Sequence, residues 1–127
     1  MRNRQVNTNV EEINYSINNL VNQWGVSVED NFEISDKIIG LQIKKIRLIR
    51  GKTLTKCGNA LGISYQQVQK YEKGINTTNP IALLMLSEYL TVSIDYFFQP
   101  FIDNNLTFLK RRDNNVYPFK TEPYLAR

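Results

Sequence analysis

Apolar residues recur every three or four positions through most of this chain, and shifts in the phase of that recurrence divide it into separate helices. Val10, Ile13, Ile17, Leu20, Val21 and Trp24 mark one face of an amphipathic helix over about residues 10–24. Asn9 and Glu12 stand at capping-box spacing, and Gly25 is a stop. Residues 1–9 are Asn-rich and read as disordered. Residues 26–34 read as a linker, after which Ser35 or Asp36 can cap a helix over about 36–50. Ile39, Ile43 and Ile46 form one apolar face of that helix, and Leu41 and Leu48 lie nearly opposite, among lysines. Two apolar sides imply two neighbours, the second being the N-terminal helix or the C-terminal tail.

Three short helices follow. Thr53 can cap one over about 54–61, with Cys57 and Leu61 inward. Ser64 can cap the next over about 65–73, which Gly74 ends. There Val68 and Tyr71 face the core, while Gln66, Gln69, Lys70 and Lys73 point the other way at 100° per residue. Gly58 sits where a side chain would keep these two helices apart, and Gly62 is in the turn, where φ > 0 is expected. Asn79 and Pro80 suit the N-cap and first position of a helix reaching about Leu90, with Ile81, Leu84, Met85 and Tyr89 as its buried face. A short helix from Ser93 to Phe98 closes the bundle. The tail from Gln99 holds three prolines and four aromatics after position 105, and Asn105–Lys110 is a candidate strand. The division expected is an extension over 1–35, a bundle over 36–98 and a tail over 99–127.

Charge changes this picture more than composition does. The net charge is +4, but residues 1–35 carry −3, residues 36–98 carry +5 and residues 99–127 carry +2. The basic excess sits on the segment that holds the paired short helices, as nucleic-acid binding requires, although a solvated basic surface has the same composition. One cysteine and no histidine exclude a disulfide scaffold, a Cys/His metal site and nucleophile–histidine catalysis. No cofactor or metal is expected, and Cys57 reads as a small core residue. Gly51-Lys52-Thr53 looks like the end of a phosphate loop, but Ile46 stands where that loop needs glycine. The polar N-terminal stretch has no signal-peptide pattern, and the longest apolar run, Ile81 to Leu86, is far too short to span a bilayer, so a cytoplasmic protein is expected.

Several pieces now fall in the order and spacing of one known family. These are Ile39-Gly40, Ile43, Arg47 and Arg50, then Leu61-Gly62-Ile63-Ser64, then Gln66 through Gly74, then Ser93 through Phe98. Residues 38–98 resemble the Cro/phage-repressor-like helix-turn-helix domain, the XRE family. The resemblance implies an all-α, five-helix, lambda-repressor-like DNA-binding domain, here with an extra N-terminal amphipathic helix and an aromatic C-terminal tail. It implies that residues 65–73 enter the major groove, and that Arg47 and Glu72 form a structural ion pair. Two positions depart from the family: Leu54 stands where a glutamine often contacts a phosphate, and Leu90-Thr91 replaces the usual Leu-Gly helix end.

The candidate base contacts are Tyr65, Gln66, Gln67 and Lys70. A glutamine amide can bond adenine N6 and N7 together, which suits Gln66. The Tyr65 ring can meet a thymine methyl, its hydroxyl a phosphate, or the phenol can pack on the helix start. Gln67 can read a base or complete a capping box with Ser64. Lys70 can reach a guanine or a phosphate. Thr53, Thr55, Lys56, Gln69, Lys73 and Asn76 are candidate backbone contacts, which position without specifying sequence. Each alone is an ordinary exposed residue; their joint placement carries the expectation. The function expected is sequence-specific transcriptional regulation of double-stranded DNA, as a repressor and homodimer with no enzymatic activity, the tails being candidate dimer contacts. The alternative is a partner-binding adaptor, such as an antitoxin whose tail wraps a toxin. RNA binding ranks below both, because no aromatic platform for stacking bases is evident.

Overall fold

The computed structural model describes residues 2–25 and 27–109, with side chains from Asn9 onward. Its elements are α1 (Arg2–Asn22), α2 (Val28–Ile49), α3 (Leu54–Leu61), α4 (Tyr65–Lys73), α5 (Pro80–Leu90), a 3₁₀ turn (Ile94–Phe98) and α6 (Gln99–Asp103). Among the described residues there is no strand, so the all-α expectation holds.

The long helix α2 organises the molecule because it is apolar on two sides. Ile43 and Ile46 enter a core completed by Cys57 of α3, Val68 and Tyr71 of α4, Leu83, Leu86 and Leu90 of α5, and Phe97. Ile34 and Ile38 enter a second core with Ile13 and Ile17 of α1, Phe101 of α6 and Leu106. Leu41 and Leu48 pack half-buried against that second core, and Ile39 touches both. The two neighbours that the pattern demanded are therefore the helical bundle on one side, and α1 with the chain after Phe98 on the other.

Several boundaries differ from the expectation. Helix α1 begins at Arg2, not near residue 10, so residues 2–9 are helical and the Asn9–Glu12 capping box does not form. Polar residues lower apolar content without breaking a helix, and extending an existing helix costs far less than starting one. Trp24 lies beyond the helix, in a turn, where its indole N–H donates to the Thr107 carbonyl at 3.0 Å. The expected linker is also helix: Ser27, not Ser35 or Asp36, caps α2, its hydroxyl accepting from the Asp30 N–H at 3.0 Å. Glu29 and Asp30 then favour the helix start electrostatically. Helix α2 therefore runs unbroken across positions 35 and 36. Ser35 is buried mid-helix, its hydroxyl donating to the Phe32 carbonyl.

On α5 the buried face is Ala82, Leu83, Leu86, Ser87 and Leu90, while Ile81, Leu84 and Met85 face outward and Tyr89 is half-buried. Apolar residues fill almost every position of this helix, so periodicity alone could not choose the phase. Asn79 does cap it, accepting from the Ala82 N–H at 2.8 Å, with Pro80 in the first turn. After the 3₁₀ turn the chain makes α6, where Pro100 and Phe101 are buried, and residues 105–109 form no strand. The expectations on Lys110, Pro118, Pro123 and the last three aromatics lie outside the described residues. Among the described residues no single helix is long and apolar enough to cross a membrane.

Candidate nucleic-acid interface

Helices α3 and α4 meet through a turn that glycines make possible. A Cβ on Gly58 would stand 2.7 Å from the Ile63 carbonyl oxygen, so only glycine lets the turn close on α3. Gly62 ends α3 in the left-handed conformation at φ 75°. Thr53 caps α3, its hydroxyl accepting from the Lys56 N–H at 3.0 Å, and Ser64 caps α4 by accepting from the Gln67 N–H at 3.1 Å. The cap is thus supplied by Ser64 itself.

Helix α4 is fixed against α2 by two contacts. Gly40 lets the helices cross closely: a Cβ there would stand 2.3 Å from the Tyr71 carbonyl oxygen. Beside it Arg47 and Glu72 form a buried two-pronged pair, Nε donating to Oε2 at 2.6 Å and Nη2 to Oε1 at 3.0 Å. Arg47 Nη1 also donates to the Lys52 carbonyl, tying the loop before α3 to the same guanidinium. Burial pushes the Cys57 thiol above its ordinary range, with Arg47 pulling partly the other way, so it is an inert core group.

With Val68, Tyr71 and Glu72 buried, the rest of α4 is presented outward. Tyr65, Gln66, Lys70 and Lys73 are exposed, and Gln67 and Gln69 are half-buried. Gln66, Lys70 and Lys73 share one stripe by their spacing of four and three. Thr53, Thr55 and Lys56 are exposed at the start of α3, and Asn76 is half-buried in the loop after α4. Gln69 lies at the edge of that same face and, with Lys73 and Leu54, lines a cleft between α1, α2, α3 and α4. Leu54 is half-buried against the main core, so its side chain offers nothing to a phosphate.

Two residues matter more than their sequence signal suggested. Arg50 caps the end of α5, donating from Nε to the Leu90 carbonyl at 2.7 Å and from Nη2 to the Thr91 carbonyl at 3.0 Å. Thr91 holds a left-handed φ of 57°, the conformation that the usual glycine would adopt without strain. Gly40 carried no packing signal, because a lone glycine inside a helical pattern names no neighbour. Among the described residues no three His, Cys, Asp or Glu side chains cluster to hold a metal ion.

Residues 43–97 match the family model described as helix-turn-helix. A protein of Sinorhizobium medicae called an uncharacterized HTH-type transcriptional regulator is 39% identical over 61 residues, 48% of this chain and 44% of the relative. One of Rickettsia conorii with the same description is 38% identical over 64 residues, 50% of this chain and 51% of the relative. Another, of Sinorhizobium fredii, is 33% identical over 82 residues, 65% of this chain and 57% of the relative. The chain thus spans about half the length of the curated relatives it matches. No solved structure matches it significantly.

Proposed function

With residues 43–97 a helix-turn-helix domain of the Cro/phage-repressor-like family, we propose that the chain is a sequence-specific transcriptional regulator of double-stranded DNA, a cytoplasmic repressor that binds as a homodimer. The single observation that carries this reading is the exposed polar stripe of α4, Gln66–Lys70–Lys73 with Tyr65 beside it, on a helix locked in place by buried contacts. Such a helix enters the major groove N-terminus first. Gln66 takes adenine through its amide, Lys70 a guanine edge or a phosphate, and Tyr65 a thymine methyl or a phosphate. Gln67 borders them at the same end of the helix. Thr53, Thr55 and Lys56 on one side and Gln69, Lys73 and Asn76 on the other hold the sugar–phosphate strands. The Thr53 hydroxyl already accepts a capping bond, so it meets a phosphate as a donor. The names of the relatives support regulation of transcription as the purpose of this binding.

Repeated selection of a random duplex library with the purified chain tests the reading. The expected product is an inverted repeat with half-site centres about 10 bp apart. Failure to enrich any sequence would contradict it. A second reading draws on the apolar residues Ile81, Leu84 and Met85 that α5 exposes. They suit contact with another protein chain, as in an antitoxin-like adaptor. Sedimentation separates the two: a dimer of the purified chain supports the regulator, and a monomer that associates only with a co-purified partner supports the adaptor.

A further inference from the structure

We propose that the DNA contact extends beyond the helix-turn-helix onto α2, where Lys37 and Lys44 form a second seat for backbone phosphates. The inference rests on the DNA-binding reading above and names residues that this reading does not use. Positions 37, 41 and 44 are spaced four and three apart, so they fall on one stripe of α2, and that stripe lines the cleft shared with α1, α3 and α4. Its two lysines stand at both places where a helix-turn-helix meets the backbone. Lys37 is packed against the end of the recognition helix: a Cβ on Gly74 would stand 2.8 Å from the Lys37 Cα. The neighbouring Asp36 accepts a hydrogen bond from the Thr77 hydroxyl at 2.8 Å, which ties this end of α2 to the loop after α4. Lys44 lines the cleft together with Leu54, at the start of α3.

The electrostatics favour an anion there. The cleft is lined by Lys37, Lys44, Arg47 and Lys73, with Glu72 as the one acidic residue, and Glu72 is already committed to Arg47 in a buried pair. Among the described residues Lys37, Lys44 and Lys73 make no salt bridge. Seven residues of helix separate the two lysines by about 10 Å, enough for each to serve a different phosphate. The arrangement also accounts for Leu54. Where the family often places a phosphate-binding glutamine, this chain has an apolar residue, and Lys44 across the cleft supplies the missing contact.

The test is the salt dependence of binding to the duplex enriched by selection. Each phosphate neutralised contributes a slope of about −0.9 in log K against log salt concentration. The double variant Lys37→Gln, Lys44→Gln should flatten the slope by about 1.8 and leave the enriched sequence unchanged, because these contacts carry no base information. Lys44→Gln alone, away from the tight approach to Gly74, should flatten it by about 0.9. Lys45→Gln is the control for net charge, since Lys45 donates to Asn14 at 2.9 Å on another side of α2, and it should leave the slope as it was. Binding with the same slope in all three variants overturns the proposal and leaves the regulator reading standing. A flattening by Lys45→Gln as large as that by Lys44→Gln also overturns it, because an equal loss per charge removed reports net charge and not a seat. Absence of any duplex binding by the unaltered chain overturns the regulator reading and this proposal with it.

Discussion

The Glu72 carboxylate takes two bonds from one buried arginine, and this pair joins α4 to α2. Removing one partner of such a pair leaves a charge with little water around it, which costs more than the pair is worth as a whole. Glu72→Ala is therefore expected to lower stability by roughly 3 kcal/mol. A calorimetric melting temperature equal to that of the unaltered chain would contradict this. Tyr96 poses a different question, because its buried hydroxyl has no hydrogen-bond partner among the described residues. Burial pushes its pKa up to about 12, with Arg50 pulling weakly the other way. In the unfolded chain this tyrosine loses its proton near pH 10, while the folded chain holds the proton until about 12. Deprotonation in that interval thus favours unfolding, and stability falls as pH rises through it. Tyr96→Phe should melt at or above the unaltered temperature at pH 7 and lose less stability above pH 10, as measured by thermal denaturation across pH. A variant with a lower melting temperature at pH 7 and the same alkaline loss would count against this account.

At the scale of elements, α5 shows what an apolar pattern can and cannot say. Its start was legible, since Asn79 and Pro80 have local chemistry that works in any tertiary setting. Its buried face was not, because Ile81, Leu84 and Met85 are as apolar as Leu83, Leu86 and Leu90, and only the packing against α3 and Phe97 selects among them. Leu86 is fully buried, so Leu86→Ala should cost about 2–5 kcal/mol, whereas Leu84→Ala should change stability by no more than about 0.5 kcal/mol. Chemical denaturation of both variants checks the phase of the helix, and the reverse order of losses would refute it. The same limit explains the missed first two turns of α2. Asn31 is buried, and its side-chain oxygen accepts from the Gly25 N–H at 3.0 Å. A buried polar residue that satisfies the backbone donor of a neighbouring turn looks in sequence like a linker residue. Glycines and caps of the helix-turn-helix were readable for the opposite reason: Gly58, Gly62, Thr53 and Ser64 act within a few residues of themselves.

Over the whole molecule, two cores share one helix, and each leaves a different surface. The first core, between α2 and α3–α5, turns the polar stripe of α4 outward. The second docks α1 and the segment around Phe101 and Leu106 on the far side of α2, with Trp24 edge-on to Phe101 at 5.7 Å and to Phe108 at 4.8 Å. That second core was only half legible: the opposing leucines of α2 announced a partner, but contacts made 83 residues apart, such as Trp24 to Thr107, leave no periodic trace. On the proposed reading, binding depends on the first core, because rigid packing would hold one glutamine of α4 against one base. The most direct measurement of that central claim is library selection repeated with Gln66→Ala. The expected product is the same inverted repeat with the preference lost at one position of each half-site and kept at the others. An enriched sequence identical to that of the unaltered chain, with the same preference at every position, would contradict the assignment of Gln66 as the residue of α4 that reads a base.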